Sequence, residues 1–137
     1  MGSADSGDEL ITTAYDDLMD WVTGYFVILV GDDIGYREGE QIHWCPEWWR
    51  HPGAAVRLHA LWQAWEYCRH VGAVGISQWL LDHADPHVRV LLSPSGPFRH
   101  CSGEHGHRPT EPLPIADLSA DDRGTFSSPY RPANGST

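Results

Sequence analysis

The 137-residue chain contains no lysine, and all nine of its basic residues are arginine. Arginine-only basicity reads first as codon bias in a GC-rich genome and says little about mechanism. Bases are also absent from residues 1–36, which hold eight acids and carry −8 of the formal net charge of −10. Residues 37–108 balance seven arginines against seven acids, and 109–137 add −2. No cluster of bases exists to release counterions from a phosphate backbone, which argues against nucleic-acid binding. Long apolar runs are missing too: the longest uncharged one, residues 21–31, falls well short of the roughly 20 residues that cross a bilayer. No basic segment precedes it, so neither a membrane anchor nor a secretory signal is visible. Cysteine is scarce and odd in number, at three, which excludes complete internal pairing and points to a reduced, cytoplasmic compartment. The GDDIG stretch (31–35) lacks the lysine of a phosphate loop, and Ser77 and Ser93 have no nucleophile-elbow context.

What is present is one domain's worth of apolar material, 41% of residues, with seven tryptophans. Residues 1–9 are small, polar and acidic and read as a disordered leader. From Pro109 the chain is rich in Pro, Ser, Gly and Asp, so 109–137 reads as a disordered tail. The body between them, 10–108, is tryptophan-rich and predicted to be mainly α: a compact single-domain bundle of four or five short helices.

Apolar residues at helical spacing predict a helix over 10–30, with Asp16, Asp17 and Asp20 facing out, followed by a glycine-rich, charged loop over 31–41. Pro46 suits the first position of a short helix, with Glu47 at its positive end. Pro52 then stops that helix and opens a longer one running to about residue 69 or 70. Its stripe of Ala54, Leu58, Leu61, Trp62, Trp65 and Cys68 makes it the centre of the core, with Arg57, Gln63 and Glu66 placed on the surface. Ser77 is the expected cap of the next helix, stapled by Ile76 and Leu81 and ending near Ala84. Asp85 and Pro86 then open a further helix through VRVLL. Pro94, Gly96 and Pro97 end it, and RHCSGEHGH forms a histidine-rich exit loop.

Cysteine and histidine in these loops make the best candidate site. Cys45 precedes the short helix, His51 lies at the helix joint, and Cys101 begins a C-x3-H pair with His105. Two short-spaced pairs from distant segments are how small domains tie loops with zinc, because thiolate and imidazole give tetrahedral coordination. If a zinc site exists, the expected set is Cys45 and Cys101 with two of His51, His105 and His107, closed and structural. The favoured account has both cysteines as ordinary buried thiols and the loop histidines in solvent. A second cluster, Asp82, His83, Asp85 and His87 in DHADPH, could serve a catalytic divalent metal or an acid–base pair. As structure, the same residues cap and brace a helix junction, which is the favoured account. Trp44, Trp48, Trp49, Trp62, Trp65 and Trp79 could stack single-stranded bases, but without a basic groove they read as core.

The runs WCPEWWRHPGAAVRLHALWQAWEYCR and GISQWLLDHADPHVRVLLSPSGPFRHC resemble an actinobacterial family, domain of unknown function 4913. The resemblance covers about 44–101, with 10–30 similar to the family's leading helix in pattern. It departs at Gly53, where an acidic residue is usual after the His-Pro pair. The resemblance implies residence in actinobacterial chromosomes and mobile elements, including phages, and brings no activity or catalytic residues. The expected role is a non-enzymatic binding or accessory protein acting through protein–protein contacts. The alternatives are a small metal-dependent hydrolase using DHADPH, and single-strand binding through tryptophans.

Overall fold

Asp17 starts the first helix: its backbone is extended and its side chain accepts the Asp20 N–H at 2.9 Å. The computed structural model describes residues 13–35 and 41–125. The leader over 1–9 and the predicted first turn of the 10–30 helix lie outside them. Helix α1 (18–35) alternates α and π turns: Leu18–Trp21, Val22–Phe26, Val27–Val30 and Gly31–Gly35. Its start falls later than the periodicity predicts, because the N–H groups of Ala14 and Tyr15 bond a side chain, Glu66, rather than a helical turn. Its end also falls later. Gly31 takes right-handed helical angles (φ −59°, ψ −40°), so the expected loop begins as helix. Asp16, Asp17 and Asp20 are exposed as predicted. The π turn, with its i→i+5 bonding, sets Trp21 and Phe26 on one buried face with ring centroids 5.6 Å apart.

The short helix at Pro46 is a turn followed by a 3-10 segment, Trp48–Arg50. Helix α2 (Pro52–Cys68) begins at its proline, as predicted, and buries Ala54, Leu58, Leu61, Trp65 and Cys68. Glu66, expected on the surface, is buried. Its carboxylate accepts the N–H groups of Ala14 (2.9 Å) and Tyr15 (3.2 Å), Trp62 Nε1 (3.0 Å) and Arg69 Nε (2.9 Å). Burial pushes this carboxyl up, and these four donors together outweigh burial and hold it below its ordinary range.

Helix α3 (75–91) is one rod of Gly75–Trp79, a π turn Leu80–Ala84 and Asp85–Leu91. Ser77 is not its cap; Val74 occupies that position, and no side chain caps it. A β-carbon on Gly75 would lie 2.0 Å from the Cys68 carbonyl oxygen, so α2 and α3 meet through this glycine. Asp85 does not cap a new helix either, since its own angles (φ −58°, ψ −49°) are helical. A widened turn directly before Pro86 lets a residue without an N–H sit in a continuous rod.

Among the described residues there is no strand, and α1, α2 and α3 enclose a single core. Trp21 and Trp79 are fully buried, and Trp21 has Tyr25, Trp65 and Trp79 within 6.2 Å, centroid to centroid. Trp79 Nε1 donates to the Leu61 carbonyl at 3.0 Å, joining α3 to α2. Trp49, expected in the core, is 47% exposed and touches it only edge-on through Trp48. Residues 107–119 carry neither helix nor strand. They end at a turn of helix, α4 (Ala120–Thr125), in the predicted tail. Ser119 and Asp122 start it by exchanging side-chain bonds to each other's N–H (2.9 and 3.1 Å), a capping box.

Candidate metal centre

Two loops meet at one point. The first is anchored where His43 N–H donates to the carbonyl of Leu92, just past α3, at 3.0 Å. Cys45 follows, fully buried. The 3-10 segment then carries the chain to His51, whose N–H bonds the Trp48 carbonyl at 3.1 Å. Pro52 disfavours helical angles for the residue before it, and His51 is extended (φ −110°, ψ 104°). Its ring turns inward, 2% exposed, edge-on to buried Phe98 at 5.3 Å.

The second loop leaves Phe98, whose carbonyl accepts the Cys101 N–H at 2.9 Å. Ser102 and Gly106 form an antiparallel bridge, and Ser102 Oγ accepts the His105 N–H at 2.8 Å, closing a tight turn. Gly106, at φ +78°, takes the left-handed angle that reverses the chain. His105 is therefore at the tip, its side chain 67% exposed beside Glu104. His107, one residue past the reversal, comes back against Cys101.

The ligand atoms of Cys45, His51, Cys101 and His107 lie within 4.8 Å of one another. Cys45 Sγ is 3.4 Å from His107 Nδ1, and Cys101 Sγ is 3.4 Å from His51 Nε2. Bonds of about 2.3 Å to sulfur and 2.0–2.1 Å to nitrogen, at tetrahedral angles, put such neighbours about 3.5 Å apart. The donor set therefore fits a structural metal ion, with three members buried and His107 half-buried. His51 Nδ1, on the far side of its ring, is buried and has no hydrogen-bond partner. The Arg108 N–H also points at Cys101 Sγ, at 3.3 Å, as a donor to a thiolate would. Burial pushes the Cys45 thiol up to about 12, opposed by its backbone bond to Glu47 and reinforced by the Cys101 thiol. Burial, with His107, Arg99 and Arg50 around it, pushes His51 down.

Of the five candidate ligands the structure brings four together and leaves out His105. Both pairs are C-x5-H, Cys45 to His51 and Cys101 to His107. That repeated spacing is the signal by which His107 could have been preferred to His105. Residues of DHADPH are not brought together in this way. Asp82 and Asp85 are exposed on α3, and half-buried His87 pairs through Nδ1 with Arg57 of α2 at 2.9 Å. Burial first, then Arg57 and His83, lowers the His87 imidazole.

Among the described residues no helix is long and apolar enough to cross a membrane. A family model described as Domain of unknown function (DUF4913) matches residues 15–119. No curated protein and no solved structure matches the chain.

Proposed function

We propose, for a chain that belongs to the family described as Domain of unknown function (DUF4913), that it is a non-enzymatic binding domain whose two loops are tied by a structural zinc ion. The observation that carries this reading is the convergence of Cys45, His51, Cys101 and His107 from loops on either side of α2 and α3. Thiolate and imidazole are the ligands zinc prefers, and four protein ligands leave no open position for a water. An ion so enclosed stabilises the fold and performs no hydrolysis. The placement of DHADPH supports the same conclusion, because His87 is engaged with Arg57 and both acids face solvent.

The role that goes with such a domain is that of an accessory protein, cytoplasmic, acting through protein–protein contacts. The resemblance noted from its motifs associates such chains with phages and other mobile elements of actinobacteria. The even charge balance of 37–108 disfavours nucleic acid as the partner. Two measurements test the reading. Elemental analysis of untagged protein should find about one zinc per chain, and less than half an equivalent, with melting unchanged by a chelator, rejects the site. Affinity purification at moderate salt should recover a protein partner. Turnover of a small molecule, with no protein recovered, overturns the binding role.

A further inference from the structure

Leu113 and Ile115 are the two most exposed large apolar side chains among the described residues, at 85% and 77%, and Leu118 follows at 56%. All three lie in the segment that leaves the metal centre at His107 and ends at the capping box of Ser119. Every side chain from Glu111 to Leu118 is exposed. The backbone is nevertheless held stiff. Pro109, Pro112 and Pro114 have fixed φ, and each biases the residue before it (Arg108, Glu111 and Leu113) toward extended angles. The root of the segment is held as well: the Arg108 N–H points at Cys101 Sγ at 3.3 Å, and His107 Nδ1 is 3.4 Å from Cys45 Sγ. The family match runs to residue 119 and so takes in the whole segment.

Proline-restricted backbone of this kind favours the polyproline-II helix, which repeats every three residues. In that register Pro109, Pro112, Ile115 and Leu118 share one edge, and Leu113 and Ala116 share a second. The third edge holds Glu111, Pro114 and Asp117, so it carries both acids of the segment and no base. A ligand already stiff loses little entropy on binding, which is why such segments are gripped by aromatic-lined grooves. We infer that residues 109–118 are a ligand arm, held by another protein through a groove with aromatic walls and a basic rim. The charge of the chain sets the partner apart from the chain itself. Residues 1–12 carry −3, 36–40 carry −1, and 126–137 hold a single arginine, so none of them offers a basic rim. At a net charge of −10, a second copy repels the acids of the arm. This inference names the chemistry of the partner for the binding domain proposed above and rests on that reading.

Site-specific photo-crosslinking of the full, zinc-replete chain tests it. Benzoylphenylalanine replaces Leu113 or Ile115 in the arm, or Val56 on α2, itself 69% exposed, as the control. Irradiated in a lysate of the source organism, both arm positions should trap one and the same protein, and Val56 should not. That protein, purified, should bind full-length Ile115→Ser and the double variant Glu111→Lys/Asp117→Lys about tenfold more weakly than wild type, with helix content and zinc unchanged. Its affinity for wild type should fall as salt rises. No protein trapped at either arm position, or crosslinks only within the chain or between its copies, overturns the arm. Unchanged affinity of Ile115→Ser overturns the apolar edge, and unchanged or higher affinity of the charge-reversed variant overturns the basic rim. A protein trapped from Val56 alone sinks the arm and leaves the binding reading standing.

Discussion

Glu66 of α2 holds the backbone of Ala14 across 52 positions of sequence, with its two carboxylate oxygens 2.9 and 3.1 Å from one N–H. The same carboxylate takes Trp62 and Arg69 from its own helix, so one side chain fixes how the chain enters α1. Removing it leaves several donors unsatisfied in a poorly hydrated place. Glu66→Gln should cost about 2 kcal/mol in urea unfolding, roughly the worth of charge-assisted bonds lost. The pH dependence has a definite sign. The folded carboxyl titrates below its ordinary value near 4.5, so its stabilisation is complete above that pH and disappears as pH falls through the folded value. Wild type should lose more stability than Glu66→Gln between pH 5 and pH 2, and parallel curves would refute the clamp.

The metal centre makes an unequal prediction for neighbouring loop residues. Cys45→Ser and Cys101→Ser should each abolish stoichiometric zinc and lower the melting temperature by several degrees, because binding free energy is folding free energy. His107→Ala should do the same, and His105→Ala, at the exposed turn tip, should retain zinc and melt like wild type. Equal zinc loss in the two histidine variants would show the loop to be assembled otherwise.

Gly75 opens α3 against Cys68, the last residue of α2. A methyl group there meets the Cys68 carbonyl, a backbone atom that cannot swing aside. Gly75→Ala should destabilise by about 1–3 kcal/mol despite the better helix propensity of alanine. Gly53→Ala, at a position with open space in the first turn of α2, is the control and should be neutral or slightly stabilising.

Adjacent tryptophans should behave differently. Trp48 is 5% exposed and Trp49 is 47% exposed. Trp48→Ala should cost about 3–5 kcal/mol as a core truncation. Trp49→Ala should cost under about 1 kcal/mol, and neither variant should change retention on single-stranded DNA, which the acidic chain is expected not to bind at physiological salt.

Helix α2 was legible in the sequence because two local signals agreed: Pro52 at its start and an apolar stripe at helical spacing. The sulfur-rich loops were legible as a pair of loops for the same local reason, the short distance from each cysteine to a histidine. His107 rather than His105 was legible only in the repeat of the C-x5-H spacing, and the backbone reversal at Gly106 is what turns that spacing into proximity. Glu66 was misplaced because a surface reading follows residue type, whereas its burial is set by donors 52 positions away. Asp85 and Ser77 misled because each has the chemistry of a cap, and tertiary packing carries the helix through one and starts it before the other. The capping box at Ser119 stands in the sequence as Ser-x-x-Asp, a local helix signal inside a stretch whose prolines argue against helix.

The widened turn at Leu80–Ala84 has a consequence for how the chain tolerates changes of length. A π turn holds one residue more than a regular α turn over nearly the same rise. Deleting one residue within it can restore ordinary i→i+4 bonding while Trp79 and Val88 keep their buried faces. The same deletion in regular α2 would rotate everything beyond it by about 100° and turn half of the stripe toward solvent. Chains of this family that differ by a single residue in α3 should therefore fold alike, with the difference absorbed in the turn before Pro86.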